Sequence, residues 1–413
     1  MVSLKKINLL IHTIFQKKNK MLKKNILKIL IPISTIIIII NFYYFVSEKS
    51  LNQYADWLIN YQGGFVRRGL IGEFFFQIYK YFNIRIDVLI FLFVSLFYIL
   101  FSFNFFKILK NIKLNFLNLL IIFSPFSFLY PVMDQKTSGR KDIFFLLLLS
   151  FLCLYLRKIK FKYQKYLIIF FSILSILTHT GFLFLVPMFI MLFIILNNKE
   201  LFKSLFIELI YIVVSILVVI FFIYNHTSIS SSNIELICNS IKDYVRPDCN
   251  SVGYISTLDW SLKLNLELKK KLWMTQNYNL FYFKYFLITF APILFALYFS
   301  KFNKKKINTL VVFLFTLISV FPLFYIGVDY GRYLYISYLS IIMIYFVSIN
   351  NNYLITNIPQ FNFFDKLKLK STVIFLIIFI YGFTFTIPHC CDNKLKFVYS
   401  KILTKTLEKI NYN

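Results

Sequence analysis

The chain has 413 residues, 59% of them hydrophobic and 21% aromatic, with a mean hydropathy of +0.71 and a formal net charge of +29. Soluble domains carry roughly 45–50% apolar residues, so this composition excludes an ordinary soluble domain and implies an all-α polytopic membrane protein. The charge does not imply a nucleic-acid partner. The lysines cluster in short segments between apolar runs, such as "KNIKLN", "RKIKFKYQKY" and "SKFNKKKIN", as cytoplasmic loops do under the positive-inside rule.

In chain order, residues 1–25 are basic and are expected on the cytoplasmic side. Residues 26–46 are too long an apolar run for a signal-peptide core and lack a small-residue cleavage site, so they read as an anchoring span. Residues 70–82 differ. Leu70, Ile71, Phe74, Phe75, Ile78 and Phe82 share one helical face, while Glu73, Gln77 and Lys80 share another. That pattern predicts an amphipathic helix lying in the interface. Spans are expected at 86–106, 116–132 and 143–156. Residues 167–196 would measure ~45 Å as one helix, too long for a core of roughly 30 Å. "THTGF" interrupts them and Pro187 follows, so two short crossings fit better. That choice also keeps "NNKELFK" and "SKFNKKK" inside. A span at 205–224, a long outer segment at 225–284 and spans near 285–300, 310–326, 333–349 and 372–388 complete the chain. The expectation is about eleven transmembrane helices and one interfacial helix. A membrane domain over 26–388 lies between a cytoplasmic N-terminus and an outer tail at 389–413. The tail lysines and Lys269–Lys271 run against the charge rule.

Cysteines give a separate check. Cys153 falls within a span. Cys238, Cys249, Cys390 and Cys391 all fall outside, where disulfides persist. Adjacent Cys390 and Cys391 are not expected to bond each other, so a bond between the 225–284 segment and the "HCC" segment is the expectation; four free thiols are the alternative.

The chain has 7 arginines and 39 lysines. The lysines mostly follow topology, whereas Arg67, Arg68, Arg85, Arg140, Arg246 and Arg332 face outside and Arg157 alone is cytoplasmic. A guanidinium is a planar fork of donors suited to phosphate or carboxylate. Three outer segments combine arginine, glycine and a nearby acid at a helix start: "GGFVRRGLIGE", "MDQKTSGRKD" and "GVDYGRYLY". Helix N-termini favour anions, and glycine lets the backbone approach a ligand closely. Together they describe a basic outer cleft for an anionic lipid headgroup, most naturally a polyprenyl phosphate or pyrophosphate. Its candidate residues are Arg67, Arg68, Glu73, Arg140, Lys141, Asp142, His179, Asp329 and Arg332, with Glu73 orienting one guanidinium. Plainer roles exist for several: Arg67 and Arg68 as snorkelling anchors, Asp142 as a helix cap, His179 as a packing residue, and Asp329 with Arg332 as a local pair. Asp56, in "QYADWLINYQGG", follows the first span. A carboxylate there could take a proton from an attacking sugar hydroxyl; a solvated loop aspartate is the plainer reading. No metal-ligand spacing, Walker loop or dinucleotide fingerprint occurs.

This layout resembles the membrane glycosyltransferases of the GT-C class: a first outer loop with an acid directly after span one, a helix along the membrane, then many spans. The resemblance is clearest over residues 26–106. It implies Asp56 as the catalytic base and Arg67, Arg68, Arg140 and Arg332 as holders of the lipid phosphate. Here the acid is single, where many such enzymes carry a pair. The chain also resembles the polymerases that join lipid-linked repeat units of surface polysaccharides. Both imply a polyprenyl-linked sugar donor, a glycan or lipid acceptor, and a place in the cytoplasmic membrane. No cofactor is implied, and a divalent metal stays open. A flippase or transporter of lipid-linked sugars is the alternative; no clear internal repeat favours it.

Overall fold

The computed structural model describes residues 4–197, 202–226, 230–251, 253–260, 262–302, 309–356, 371–391 and 396–397. Most of the expected outer tail therefore lies outside the described residues. The described residues are mainly helical. Helix α1 (Leu4–Ser47) carries Pro32 inside it. Helices α2 (Leu70–Phe82) and α3 (Ile86–Leu109) follow. The amphipathic spacing at 70–82 therefore gave both ends of α2. Its apolar face packs on α3, with Phe75 against Phe93 at 5.4 Å between ring centroids.

The expected span at 116–132 is broken. Helix α4 (Phe116–Ile122) stops ahead of Ser124 and Pro125, and α5 (Tyr130–Met133) restarts with Pro131 in its first turn. Proline disfavours helical geometry in the residue before it. The irregular stretch survives at this depth because protein surrounds it: Ser124, Phe126 and Ser127 are fully buried, and Ser124 Oγ donates to the Thr289 carbonyl at 3.1 Å.

Helices α6 (Asp142–Tyr155), α7 (Phe161–Thr178) and α8 (Val186–Leu196) come next. A 3-10 turn, Thr180–Leu185, joins α7 to α8. Asn197, just past α8, donates to Gln164 Oε1 near the start of α7 at 2.6 Å. Residues 161–197 thus go up and return, as the length argument requires. Helix α9 (Phe202–His226) starts beside α7, where Lys165 meets Glu208 at 2.8 Å. Then follow α10 (Ser231–Ser240), α11 (Leu262–Gln276), α12 (Tyr278–Tyr298), α13 (Thr309–Ile318), α14 (Phe321–Ile326), α15 (Tyr330–Asn350) and α16 (Ser371–Phe383). The expected span at 310–326 is likewise split between α13 and α14, with Pro322 at the restart. Two short antiparallel pairs add to this: β1 (Ser300–Phe302) with β2 (Leu354–Thr356), and β3 (Phe385–Thr386) with β4 (Lys396–Phe397).

Six helices among the described residues are long and apolar enough to cross a membrane: Ile26–Ser47, Ile86–Leu109, Phe161–Thr178, Ser204–His226, Tyr278–Tyr298 and Tyr330–Asn350. The chain is a multi-pass helical membrane protein. The remaining expected spans are shorter or broken helices packed among these six.

The cysteine expectation is corrected in its pairing. Cys238 bonds Cys249, with Cα atoms 6.1 Å apart, and Cys390 bonds its neighbour Cys391. No bond joins the two segments. The reason is local folding. The turn after α10 doubles back through Ile241 and Tyr244, which brings Cys249 within disulfide reach of Cys238. Cys153 is free and buried within α6.

Candidate functional site

A cavity of about 1290 Å³ opens at one end of the bundle. Its walls come from segments far apart in sequence: the loop before α2, the α5–α6 loop, the α7 turn, residues 251–260, the α14–α15 loop and residues 388–391. Six lining cations, Arg67, Arg68, Lys136, Arg140, Lys271 and Arg332, face one lining acid among the described residues, Asp329.

Arg332, in the first turn of α15, anchors the wall. Its Nε and Nη2 donate to the two oxygens of Asp142 at 2.5 and 2.6 Å, and Nη1 donates to Asp329 Oδ2 at 3.1 Å. Both ends of the Arg332–Asp142 pair are almost sealed, with 3% exposure each. Asp142 therefore spends its carboxylate on α15 rather than on capping α6. Tyr254 Oη also donates to Asp329 Oδ2, at 3.1 Å. Burial works against the Asp329 charge, yet the Arg332 and Arg140 guanidinium groups hold its carboxyl below the usual range.

Arg140 stacks over the Tyr254 ring at 4.5 Å, and its Nη1 donates to the Asn52 carbonyl at 3.4 Å. The turn that presents it depends on Gly139. This residue has φ of +75° and lies so close to the Phe42 ring that a Cβ would collide. Trp57 Nε1 donates to the Gly139 carbonyl at 2.5 Å and Tyr98 Oη accepts from its N–H at 3.1 Å.

The opening loop divides its two arginines. Arg67 Nη2 donates to the carbonyls of Thr257 and Leu258 at 3.1 and 2.9 Å. Burial, and then the Arg68 charge, push its pKa down to about 10 against the pull of Asp259. Arg68 has a left-handed backbone, φ 73°, and a buried Nε without a hydrogen-bond partner. Its guanidinium lies 6.0 Å from the Tyr254 ring centre.

Glu73 does not orient a guanidinium. Its carboxylate accepts from the Tyr61 N–H at 2.8 Å and from Gln62 and Gln77, which closes the loop on α2. Gly63 and Gly69 likewise serve packing, against the Asn233 carbonyl and the Tyr61 ring.

Asp56 sits in a buried 3-10 turn, Ala55–Leu58, and neither it nor Lys141 lines the cavity. The two form a pair behind the wall, Lys141 Nζ to Asp56 Oδ1 at 3.6 Å, with both side chains fully buried. Burial pushes the Lys141 pKa down to about 8 against the favourable charge of Asp56. His179 lines the cavity, where its Nδ1 accepts from the Gly181 N–H at 3.1 Å. That bond caps the turn between α7 and α8.

Sequence reasoning missed Tyr254, Asp134 and His389. The His389 N–H and Nδ1 both reach Asp134 Oδ2, at 2.7 and 2.8 Å, and its carbonyl accepts from the Gly331 N–H at 3.0 Å. Asp134 and His389 each lie in a segment singled out above, but nothing local joins residues 255 apart. Arg85 and Arg246, also expected outside, do not line the cavity and sit in local pairs, Arg85 with Asp87 and Arg246 with Asp248. Among the described residues, no group of three or more His, Cys, Asp or Glu side chains could hold a metal ion.

Fold and site together define a multi-pass helical membrane protein with an arginine-lined, ion-paired cavity at one end of its bundle. Comparison with known proteins finds no matching family model, no matching curated protein and no matching solved structure.

Proposed function

We propose that the protein is a membrane glycosyltransferase that uses a polyprenyl-phosphate-linked sugar at the outer face of the cytoplasmic membrane, in surface glycan assembly. The observation that carries this reading is the imbalance of the cavity wall: six cations against Asp329, with apolar Phe184, Leu323 and Ile326 beside them. A phosphate headgroup on a greasy carrier matches both parts. Arg332 is engaged by carboxylates, so Arg68 and Arg140 are the forks for the phosphate.

In the reaction an acceptor hydroxyl attacks the anomeric carbon and the bond to the phosphate oxygen breaks. The carrier phosphate leaves with the electron pair and is stabilised by the guanidinium groups. The hydroxyl proton needs an acceptor at the cavity surface. Asp56 was the expectation from sequence; its burial behind the wall moves that role to Asp329, the carboxylate a bound hydroxyl can reach.

The same reading assigns about eleven crossings, a cytoplasmic N-terminus and an interfacial α2. In support, the loop before α2, the α5–α6 loop, the turn near His179 and the α14–α15 loop, all expected outside, meet at one cavity. Arg157 pairs with Asn351, and Lys165 with Glu208, at the opposite end. A reporter fused at Asn233 should read as external.

The test is the purified full-length chain in proteoliposomes, supplied with extracted carrier-linked sugars. The sugar should leave its carrier, and Asp329→Asn should abolish turnover while the donor still binds. Passage of intact carrier-linked sugar across the bilayer without cleavage would instead make the protein a transporter.

A further inference from the structure

Asp56 and Lys141 are sealed from solvent and from the cavity, so neither can touch a ligand there. Asp56 comes from the turn after α1 and Lys141 from the residue before α6. Among the described residues, neither Asp56 oxygen has a hydrogen-bond partner; the ammonium at 3.6 Å is the ion it faces. Lys141 Nζ makes its hydrogen bond elsewhere, to the Arg68 carbonyl at 2.8 Å. Arg68 is a non-glycine residue with φ of 73°, a conformation that L-residues rarely adopt. Such residues persist when their surroundings over-determine them. A bond to the Arg68 carbonyl fixes the peptide plane that follows it. It therefore sets the direction in which the guanidinium leaves the backbone.

We propose that Asp56 and Lys141 are positioning residues. Asp56 anchors the Lys141 ammonium, Lys141 holds the Arg68 carbonyl, and Arg68 is thereby kept left-handed with its guanidinium turned to a phosphate-bearing ligand. The proposal rests on the reading above that the cavity takes such a ligand, but not on sugar transfer. The chemistry of the strut explains its residue types. A flexible four-carbon stem with a compact ammonium can reach a carbonyl at an awkward angle, and a buried ammonium needs a nearby carboxylate.

The experiment uses the full-length protein in detergent micelles, with inorganic pyrophosphate as the probe and calorimetry as the readout. Arg68→Ala should weaken binding roughly ten- to hundredfold. Asp56→Asn should weaken it by a similar factor although Asp56 does not face the ligand. The double variant should bind no more weakly than Arg68→Ala alone. An Asp56→Asn protein with unchanged affinity, or losses that multiply in the double variant, would overturn the proposal. A second arm needs no ligand. Lys141→Met should lower the melting temperature, and lower it less in an Arg68→Gly background, because glycine adopts that φ without a strut. Equal losses in both backgrounds would overturn the proposal. If Asp56→Asn does not fold, adding Arg68→Gly decides: recovered folding supports the strut and continued failure rejects it. Pyrophosphate that binds in this pattern without any sugar transfer would leave the strut standing and reject the transferase. A wild type that binds no pyrophosphate would reject the anion cavity and leave the melting arm to judge the strut.

Discussion

Helices α9 and α15 are both long and apolar, yet they sit in opposite surroundings. The α9 window, Ser204–His226, has a mean hydropathy of 3.0 and is 11% buried; α15, Tyr330–Asn350, has 1.5 and is 83% buried. In a soluble protein the greasier helix would be the inner one. Here lipid is as apolar as any core, so hydropathy does not draw a helix inward. Close packing and polar pairing do. Helix α15 carries Gly331, Arg332 and the serines Ser340 and Ser348, whose hydroxyls bond the carbonyls of Ile336 and Ile344 at 2.7 and 2.6 Å. Helix α9 offers Phe221, Val218 and Leu217 to its surroundings, all more than half exposed.

The largest expected effect sharpens this contrast at the ion pairs. Arg332→Ala leaves the Asp142 carboxylate buried alone and should cost about 3–5 kcal/mol in unfolding experiments in detergent. On α9, Glu208→Ala breaks a more exposed pair with Lys165 and should cost at most about 1 kcal/mol. Equal losses would break the comparison. Next is Gly331→Ala. The added methyl would meet the Pro388 carbonyl and the Tyr130 hydroxyl, and overpacking of this kind costs about 1–3 kcal/mol; thermal unfolding would read it.

A smaller effect should appear with pH behind the α15 network. Lys141 has a pKa of about 8 in the fold against an ordinary 10.5. Between those values the unfolded chain binds more protons, so stability from this group rises as pH climbs from about 8 to 10.5. Asp56, Arg68 and Arg332 are the charged groups that face it. The melting temperature of the wild type relative to Lys141→Met should therefore rise across the window; a flat difference would contradict the burial described. The smallest effect belongs to α9. Leu217→Val should change stability by less than about 0.5 kcal/mol, and a larger loss by the same assay would mean that the exposed face of α9 meets protein.

Much of the fold was legible because hydropathy and helical spacing are local. The ends of α2, the return turn near His179 and the place of Cys153 within a helix all followed from runs of a few residues. The breaks at Pro125 and Pro322 were visible as letters, but their cost depends on neighbours such as Thr289, which the sequence does not identify. The site was legible in membership and less so in pairing. Arg67, Arg68, Arg140, His179, Asp329 and Arg332 do line one cavity. Glu73, Asp142 and Lys141 found other partners, and Asp56 lies behind the wall. Glu73 turns to nearby Tyr61, Gln62 and Gln77, whereas the other outcomes turn on contacts made across the bundle, as between Asp142 and Arg332, 190 residues apart. The arginine pattern pointed to four residues that line the cavity, Arg67, Arg68, Arg140 and Arg332, but no local pattern encodes which carboxylate neutralises which cation.

The central claim is that a guanidinium fork in this cavity holds the phosphate of a carrier-linked sugar. The direct measurement is sugar transfer by purified Arg68→Lys and wild-type protein in proteoliposomes at matched amounts. Lysine keeps the charge and loses the fork, so transfer at low donor concentration should fall roughly ten- to hundredfold. Equal transfer by the two proteins would contradict the claim.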